Sequence, residues 1–595
     1  MQIEQQYFLN VKNSISEKAW VDRLDPVGAR IAKAISQATG ISEIVARILA
    51  GRGVTQEGAE IFLNPTIKDL MPDPSTLTDM DRLVDRLVDA IINKEKIALF
   101  GDYDVDGACS VALMQRYLEH FNVETIVHIP DRIFEGYGPN NDAMDKFKKQ
   151  GASLVITLDC GTSSTSTIEY GKNLGLDILV IDHHLSEGEL PPANAIVNPN
   201  RQDDISDLGY LCAAGVTFMV LVALNREMRF RSKPEFPNLM QLVDLVALAT
   251  ICDVVPLKGL NRAFVNRGVE LMRIGSNIGI KALALSARIT QPINPYHLGF
   301  IIGPRINAGG RIGDAGLGVS LLASSDGEQV NEIAIRLNEL NIERQQIEAE
   351  AVEEATNAAI AEIGTGVGPS VLVLASENWH PGVVGLVAAR LKERFSRPAF
   401  AISLAMHNKA TGSGRSIIGV DLGSAIIKAV DEGVIPKGGG HAMAAGISLK
   451  PDEIGAFRNF ICEALEAEVN VAREQNLLKI DAAITARTAN IDFVNLLEKA
   501  GPFGAGNANP MFAFPAHKVR YAKIVGVGGH IRFNLYSGDG ANIEAIAFRA
   551  AETEFGQLLL QAKDDKPVHI AGSLGINHWN GREKVQLRAI DGFSP

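Results

Sequence analysis

The feature that most constrains this chain lies at residues 96–110, KIALFGDYDVDGACS. Ile97, Ala98, Leu99 and Phe100 form an apolar, strand-like run ending in Gly101, and carboxylates then fall at every second position: Asp102, Asp104 and Asp106. Gly107 closes the run, and Val111, Leu113, Met114 and Leu118 continue with helical spacing. Three carboxylates this close repel one another. A divalent cation holds them together best, because hard oxygen ligands suit Mg2+ or Mn2+. A calcium loop also begins D-x-D-x-D-G, but it follows a helix and needs Glu at its twelfth place, where Leu113 stands. Solvated turn acids are the plainer alternative. The stretch therefore reads as a buried strand delivering a catalytic metal site.

Downstream, short apolar runs alternate with helical patterns: ETIVHIP, SLVITLD, DILVID and AIVNP. Such alternation predicts an α/β fold with a doubly wound parallel sheet. The first acids follow one strand, Asp159 ends the next candidate, and Asp182-His183-His184 ends a third. Open α/β sheets bind ligands at this carboxyl edge. Asp253, in LVALATICDVVPL, ends another apolar run and is a fourth candidate for the same edge. Singly, each Asp is more often a turn former or a helix cap. Their coincidence on one predicted edge is what indicates a site.

At 595 residues the chain has room for roughly four domains. Its five cysteines form no CxxC pair, which fits reduced cytosolic thiols. No apolar run is long enough to span a membrane, and the first residues do not form a signal peptide. The net charge of −13 argues against a nucleic-acid partner only if it is evenly spread. It is not: residues 326–362 hold ten acids against two bases, whereas residues 515–595 hold ten bases against eight acids.

The remaining chain divides as follows. Residues 1–80 read as a helical N-terminal region and 81–325 as the domain carrying the acids. Residues 326–364 form one long helical pattern, with Val330, Ile333, Leu337, Leu340, Ile347 and Ala351 on one stripe. A helix of that length spans about 55 Å; it is too polar to be buried all round, and its pattern alone suits a coiled-coil dimer. Residues 365–477 begin another, smaller α/β unit, with the glycine-rich stretches GSGRS and GGGHAMAAG beside Ser413, Arg415 and His441. Bare N–H groups and a guanidinium in such loops suit phosphate oxygens. Residues 478–595 alternate in the β manner and predict a small OB-like barrel. There Arg520, Arg532, Tyr536, Trp579 and Arg582 offer cations and stacking faces to unpaired bases.

GDYDVDG, TLDCG, DHH and ICDVVPL, in that order, resemble the motifs of the DHH phosphoesterase superfamily. PDRIFEGYG, GPRINAGGR, WHPGVVG, GSGRS, GGGHAMAAG and GPFGAGN are similar to those of one branch, the RecJ family of bacterial single-strand-specific DNA exonucleases. Gly309 and Cys252 depart from the usual alanine, and neither side chain is expected to carry chemistry. The resemblance implies a DHH domain joined by the long helix to a smaller DHH-associated domain, with an OB-fold at the C-terminal end. It implies 5′-to-3′ digestion of single-stranded DNA to mononucleotides in recombination and repair. The protein would be a cytoplasmic monomer, with a single-strand-binding protein and a helicase as partners. Two Mn2+ or Mg2+ ions would be held by Asp104, Asp106, Asp159, His183 and Asp253, with Asp102 as an additional ligand and His184 and Asp182 as the catalytic pair beside them. Arg305, Asn307, Arg311, His380, Ser413, Arg415 and His441 would bind substrate. The alternative is a phosphoesterase for small nucleotides or oligoribonucleotides, which uses the same metal motifs; the β domain weighs against it.

Overall fold

The apolar run before the carboxylates is strand β1 (Ile97–Gly101), buried at every position. Around it lie β2 (Thr125–His128), β3 (Leu154–Leu158), β4 (Asp177–Ile181) and β5 (Ala195–Val197), in the order β2-β1-β3-β4-β5, all parallel. The crossing from β2 back past β1 to β3 sets a switch point at the carboxyl end of β1, where Asp102 begins. The structure, a computed structural model, describes residues 6–186, 188–231, 236–406, 409–474, 476–526, 528–562, 566–579 and 582–595. It separates into two units, one of Pro72–Asp253 and Arg267–Gln475, the other of Met1–Met71, Val254–Asn266 and Asn476–Pro595.

In the first unit, helix α1 (Val105–His120) leaves the acidic turn and packs against α2 (Ala213–Phe230) and α3 (Val243–Cys252). Helix α3 corrects the expectation for Asp253. The apolar run before it is a helix rather than a strand, and Asp253 is its C-cap. Val243 through Thr250 are buried on every side, and a fully buried helix shows no amphipathic period to separate it from a buried strand. After α4 (Gly303–Ile312) comes α5 (Gly327–Ile363), a single helix of 37 residues. Val330, Leu337 and Leu340 bury one part of its stripe against the helices of the first lobe, while Ala351, Ala355 and Ala359 enter a core with Leu372, Trp379 and Leu391. The stripe is thus used within the chain, which removes the basis for a coiled-coil dimer. Beyond α5 lies a mixed sheet of β6 (Leu372–Ser376), β7 (Ala399–Met406), β8 (Lys409–Arg415), β9 (Lys437–His441) and β10 (Ala444–Leu449), in the order β9-β10-β8-β7-β6, with α6 (Val384–Phe395) packed on it.

The second unit contains a closed barrel of β11 (Phe512–Val525), β12 (His530–Tyr536), β13 (Asn542–Ala547), β14 (Val568–Trp579) and β15 (Arg582–Phe593); the pairing of β11 with β14 completes the ring. Closure leaves no open sheet edge. The N-terminal residues join this unit: strand Ala19–Asp22 pairs with Leu477–Ile480, and Ile35, Val45, Ile48 and Leu49 share a core with Phe512, Phe514, Ile531 and Phe533. They are not purely helical, and their apolar face is covered by the barrel.

Candidate active site

The acidic turn is tightly folded. Asp104 caps α1, its Oδ1 accepting the N–H groups of Asp106 (2.9 Å) and Gly107 (3.1 Å). A Cβ on Gly107 would lie 2.4 Å from the carbonyl oxygen of Asp102, so only glycine lets the chain fold back here. Asp106 points inward and accepts the N–H groups of Ala213 (2.6 Å) and Ala214 (2.8 Å), the positive end of α2. Asp159 follows β3 with a left-handed φ of 64°, strain of the kind that collects at functional positions.

Asp182 organises the turn after β4. Its Oδ1 accepts the N–H groups of His183 (2.7 Å) and His184 (3.2 Å) and pairs with Nδ1 of His184 (2.8 Å), while Oδ2 accepts the N–H of Thr162 (3.1 Å). Its acceptors are occupied, so it orients both histidines. Nε2 of His183 then lies 3.3 Å from Asp159 Oδ1, 3.6 Å from Asp253 Oδ2 and 3.7 Å from Asp106 Oδ2. Three overlapping groups have donor atoms close enough to share a cation: Asp106-His183-Asp253, Asp102-Asp104-Asp159 and Asp159-His183-His184.

These residues fit a divalent metal. Asp102 Oδ1, Asp159 Oδ1 and Asp253 Oδ2 are buried carboxylate oxygens that receive no hydrogen bond from the described residues, an arrangement a folded protein rarely leaves uncompensated. Burial, followed by the neighbouring aspartates, pushes Asp102, Asp159 and Asp253 well above the usual carboxylate range and Asp106 up to about 7. Burial and then the His184 charge hold His183 down at about 4, leaving a neutral imidazole suited to ligation. Burial opposes a charge on His184 too, but its bond to Asp182 outweighs this and raises it to about 9. Of the thiols nearby, Cys160 and Cys252 donate to the carbonyls of Leu158 and Leu298 (both 3.5 Å), and burial pushes both upward.

Positive charge gathers next to the acids. Helix α4 reaches the acidic turn, where a Cβ on Gly310 would lie 2.7 Å from the Tyr103 carbonyl oxygen, and it reaches the smaller lobe, where Arg311 donates to the Gly382 carbonyl (3.0 Å). Burial, then the charges of Arg132, Arg344 and Arg415, pull Arg311 down to about 9. Burial and the Arg132 charge lower Arg415 as well. Arg415 donates to Ser413 Oγ (2.9 Å), and a Cβ on Gly385 would press on both groups. The guanidinium of Arg132 lies 4.8 Å from the Tyr103 ring centroid. Among the described residues, no carboxylate lies within ion-pair distance of Arg132, Arg311 or Arg415, so the cluster has charge to offer an outside anion.

The structure brings Arg311, Ser413 and Arg415 together. His441 is exposed and held below its usual value by burial of part of its ring, by Arg415 and by His184. His380 accepts the N–H of Gly382 (3.1 Å), the turn that Arg311 also contacts, and Asn307 keeps a buried Oδ1 without a partner. Arg305 is used differently, donating to Asn338 (3.0 Å) and to the Ile301 carbonyl (2.7 Å). In the barrel unit, Arg520 stacks on Tyr536 at 5.0 Å and Arg532 pairs with Glu544 at 2.6 Å; the side chains of Trp579 and Arg582 lie outside the described residues. Sequence reasoning missed Arg132 and Tyr137, the latter with its hydroxyl 3.1 Å from His184 Nδ1 and 3.3 Å from the Asp159 carbonyl. Both lie in PDRIFEGYG, so the motif was visible while the roles within it were not.

A parallel sheet with an Asp/His cluster at its switch point, joined by one helix to a glycine-rich mixed sheet, defines a DHH-type phosphoesterase. Family models agree: the N-terminal domain of the DHH family matches residues 96–250, the DHHA1 domain 368–467, and the RecJ OB domain 480–591. The chain is 33% identical over 567 residues to the single-stranded-DNA-specific exonuclease RecJ of Escherichia coli K12, covering 93% of this chain and 96% of that one. With the Bacillus subtilis 168 protein of the same name it shares 32% over 566 residues, 94% of this chain and 69% of that one. The crystal structure of Thermus thermophilus RecJ in complex with Mn2+ superposes with a TM-score of 0.78 at 25% identity, covering 96% of this chain and 78% of that one. The chain belongs to the RecJ family of single-stranded-DNA-specific exonucleases.

Proposed function

We propose that this exonuclease digests single-stranded DNA from the 5′ end to mononucleotides, in recombination and repair, with two Mn2+ or Mg2+ ions held by Asp102, Asp104, Asp106, Asp159, His183 and Asp253. The observation that carries the reading is the set of three buried, unpartnered carboxylate oxygens beside the neutral His183. When bound, the ions supply a water of lowered pKa and offset charge on the scissile phosphate. The chain's own residues do the rest. Asp182 fixes both histidines, and His184, oriented by that contact, offers an N–H to the phosphate. Arg132, Arg311, Ser413 and Arg415 receive the terminal 5′-phosphate, whose extra negative charge has no chain beyond it. Asn307, His380 and His441 would add contacts to the substrate strand, and Arg305 steadies α4. Arg520, Arg532 and Tyr536 give the barrel a surface for the strand farther along. The protein would act as a monomer in the cytoplasm, alongside a single-strand-binding protein and a helicase; among the described residues no helix is long and apolar enough to cross a membrane.

Oligonucleotides labelled at one end or the other test polarity directly. With Mn2+ present, a 5′-labelled strand should release its label as a mononucleotide in the first turnovers, while a 3′-labelled strand shortens stepwise. Chelator should stop both. Early release of the 3′ label would reverse the assignment.

A further inference from the structure

Between α3 and α4 the chain carries a feature that the proposed chemistry does not use. Tyr296 and Phe300 stack on each other with ring centroids 5.0 Å apart and planes 23° apart, and both are exposed, Phe300 at 71%. A large aromatic face left in water, as that of Phe300 is, is costly unless something covers it. The pair spans the junction between Pro295–His297 and a π-helical turn, Leu298–Ile302, a rare element that occurs frequently at functional sites. That turn is held at one end to the active-site segment and at the other to the start of α4. The Leu298 carbonyl accepts the thiol of Cys252, next to Asp253, and the Ile301 carbonyl accepts Arg305 on α4. A Cβ on Gly303 would lie 2.4 Å from the Cys252 sulfur, so the two segments are in close contact.

The charge of the sequence segment that carries the pair is the second observation. Residues 271–312 hold five Lys/Arg and no Asp or Glu, in a chain whose net charge is −13. Arg273, Lys281 and Arg288 are exposed. An exposed aromatic stack within an acid-free basic segment has the makings of a single-strand platform, because every base offers a π-face and every phosphate a charge. An acidic protein surface would suit the charge alone; the stacked, exposed rings are what favour a base.

We infer that Tyr296 and Phe300 form a stacking platform for one unpaired base of the substrate strand, close to the metal centre. The inference rests on the single-strand exonuclease reading. It also bears on strand specificity, since a base within a duplex has both faces covered and cannot stack there.

The test walks a single abasic nucleotide along a 5′-phosphorylated oligonucleotide and measures Mn2+-dependent digestion by the full chain. Cleavage of the unmodified strand by wild type is the control for the proposed function. Wild type should show one or two positions where the missing base slows digestion on the order of ten-fold. A Tyr296→Ala/Phe300→Ala variant, altered only at exposed positions, should lose that position dependence and digest the unmodified strand more slowly by a similar factor. Phe300→Trp should keep the dependence. A flat profile in wild type, or an unchanged dip in the double variant, would overturn the platform. So would a double variant that digests DNA normally but changes its sedimentation, which would mark the patch as a protein contact.

Discussion

Each unit of this molecule buries aspartates, and the two sets are treated differently. In the barrel unit, Asp481 accepts Arg23 (2.9 Å), Arg52 (2.5 Å) and the Met511 N–H (2.8 Å), and Asp591 accepts the Trp20 indole (2.8 Å) and the Gly592 N–H (2.8 Å). Those carboxylates are compensated within the protein, and their effect is to bind the N-terminal residues to the barrel. In the other unit, Asp102, Asp159 and Asp253 each keep a buried oxygen that receives no hydrogen bond from the described residues, and burial and the neighbouring aspartates push all three upward. Burial of an acid therefore does not by itself mark a site. What marks one is burial left uncompensated, because the missing partner must come from outside.

The sharpest way to break this contrast is to neutralise one acid in each unit. Asp159→Asn keeps a residue that tolerates left-handed backbone, as alanine does not. It should lower digestion of single strands at least on the order of a hundred-fold, consistent with loss of a shared metal ligand. The metal-free protein should lose no stability, since a repelling charge is gone. Asp481→Ala should behave in the opposite way. It strands Arg52, whose side chain is only 4% exposed, and should cost about 3–5 kcal/mol in urea unfolding while the folded protein still cleaves short strands. If both variants lost stability alike, the distinction would fail.

Arg415 sharpens the comparison from the cationic side. Arg415→Ala should lose most of any preference for 5′-phosphorylated over 5′-hydroxyl strands, a loss of about 2 kcal/mol for a charge-assisted contact. Arg415→Lys should recover only part, because an ammonium cannot reproduce the planar fork. Equal cleavage of both ends by wild type would remove the end-sensing role.

How much of this was legible in the sequence depended on locality. The acidic turn could be read because strand, carboxylates and glycine follow one another within a dozen residues. Asp253 was found as a candidate ligand on the wrong element, since an apolar run buried on all sides looks alike as helix and strand. Arg132 was not found; a lone cation in a loop carries no signal until Arg311 and Arg415 are seen beside it. The union of residues 1–71 with the barrel rests on contacts such as Trp20 with Asp591, which no local pattern encodes. That union also makes removal of residues 478–595 a poor test of the barrel, because it would uncover Ile35, Val45 and Leu49. Point variants at Arg520 and Tyr536 are the better probe.

The smallest expected effect concerns His517, buried in the barrel unit. Its Nδ1–H donates to the Pro515 carbonyl (2.9 Å) and its Nε2 accepts the Ala486 N–H (3.1 Å), so both nitrogens serve the neutral ring. Burial lowers it below the ordinary histidine value. The unfolded chain therefore takes up a proton near pH 6.5 while the folded one still resists. Stability from this group is complete above that pH and falls as pH drops through it, by at most about 1.4 kcal/mol per unit. His517→Asn should flatten that part of the profile in urea unfolding between pH 7 and pH 5.

The most direct measurement counts Mn2+ bound to the purified full chain, by electron paramagnetic resonance titration, in wild type, Asp159→Asn and Arg415→Ala. Two ions in wild type and in Arg415→Ala, with one or none in Asp159→Asn, are the expected result. No saturable Mn2+ in wild type, or two ions still held by Asp159→Asn, would contradict the claim that the uncompensated acids are the metal site.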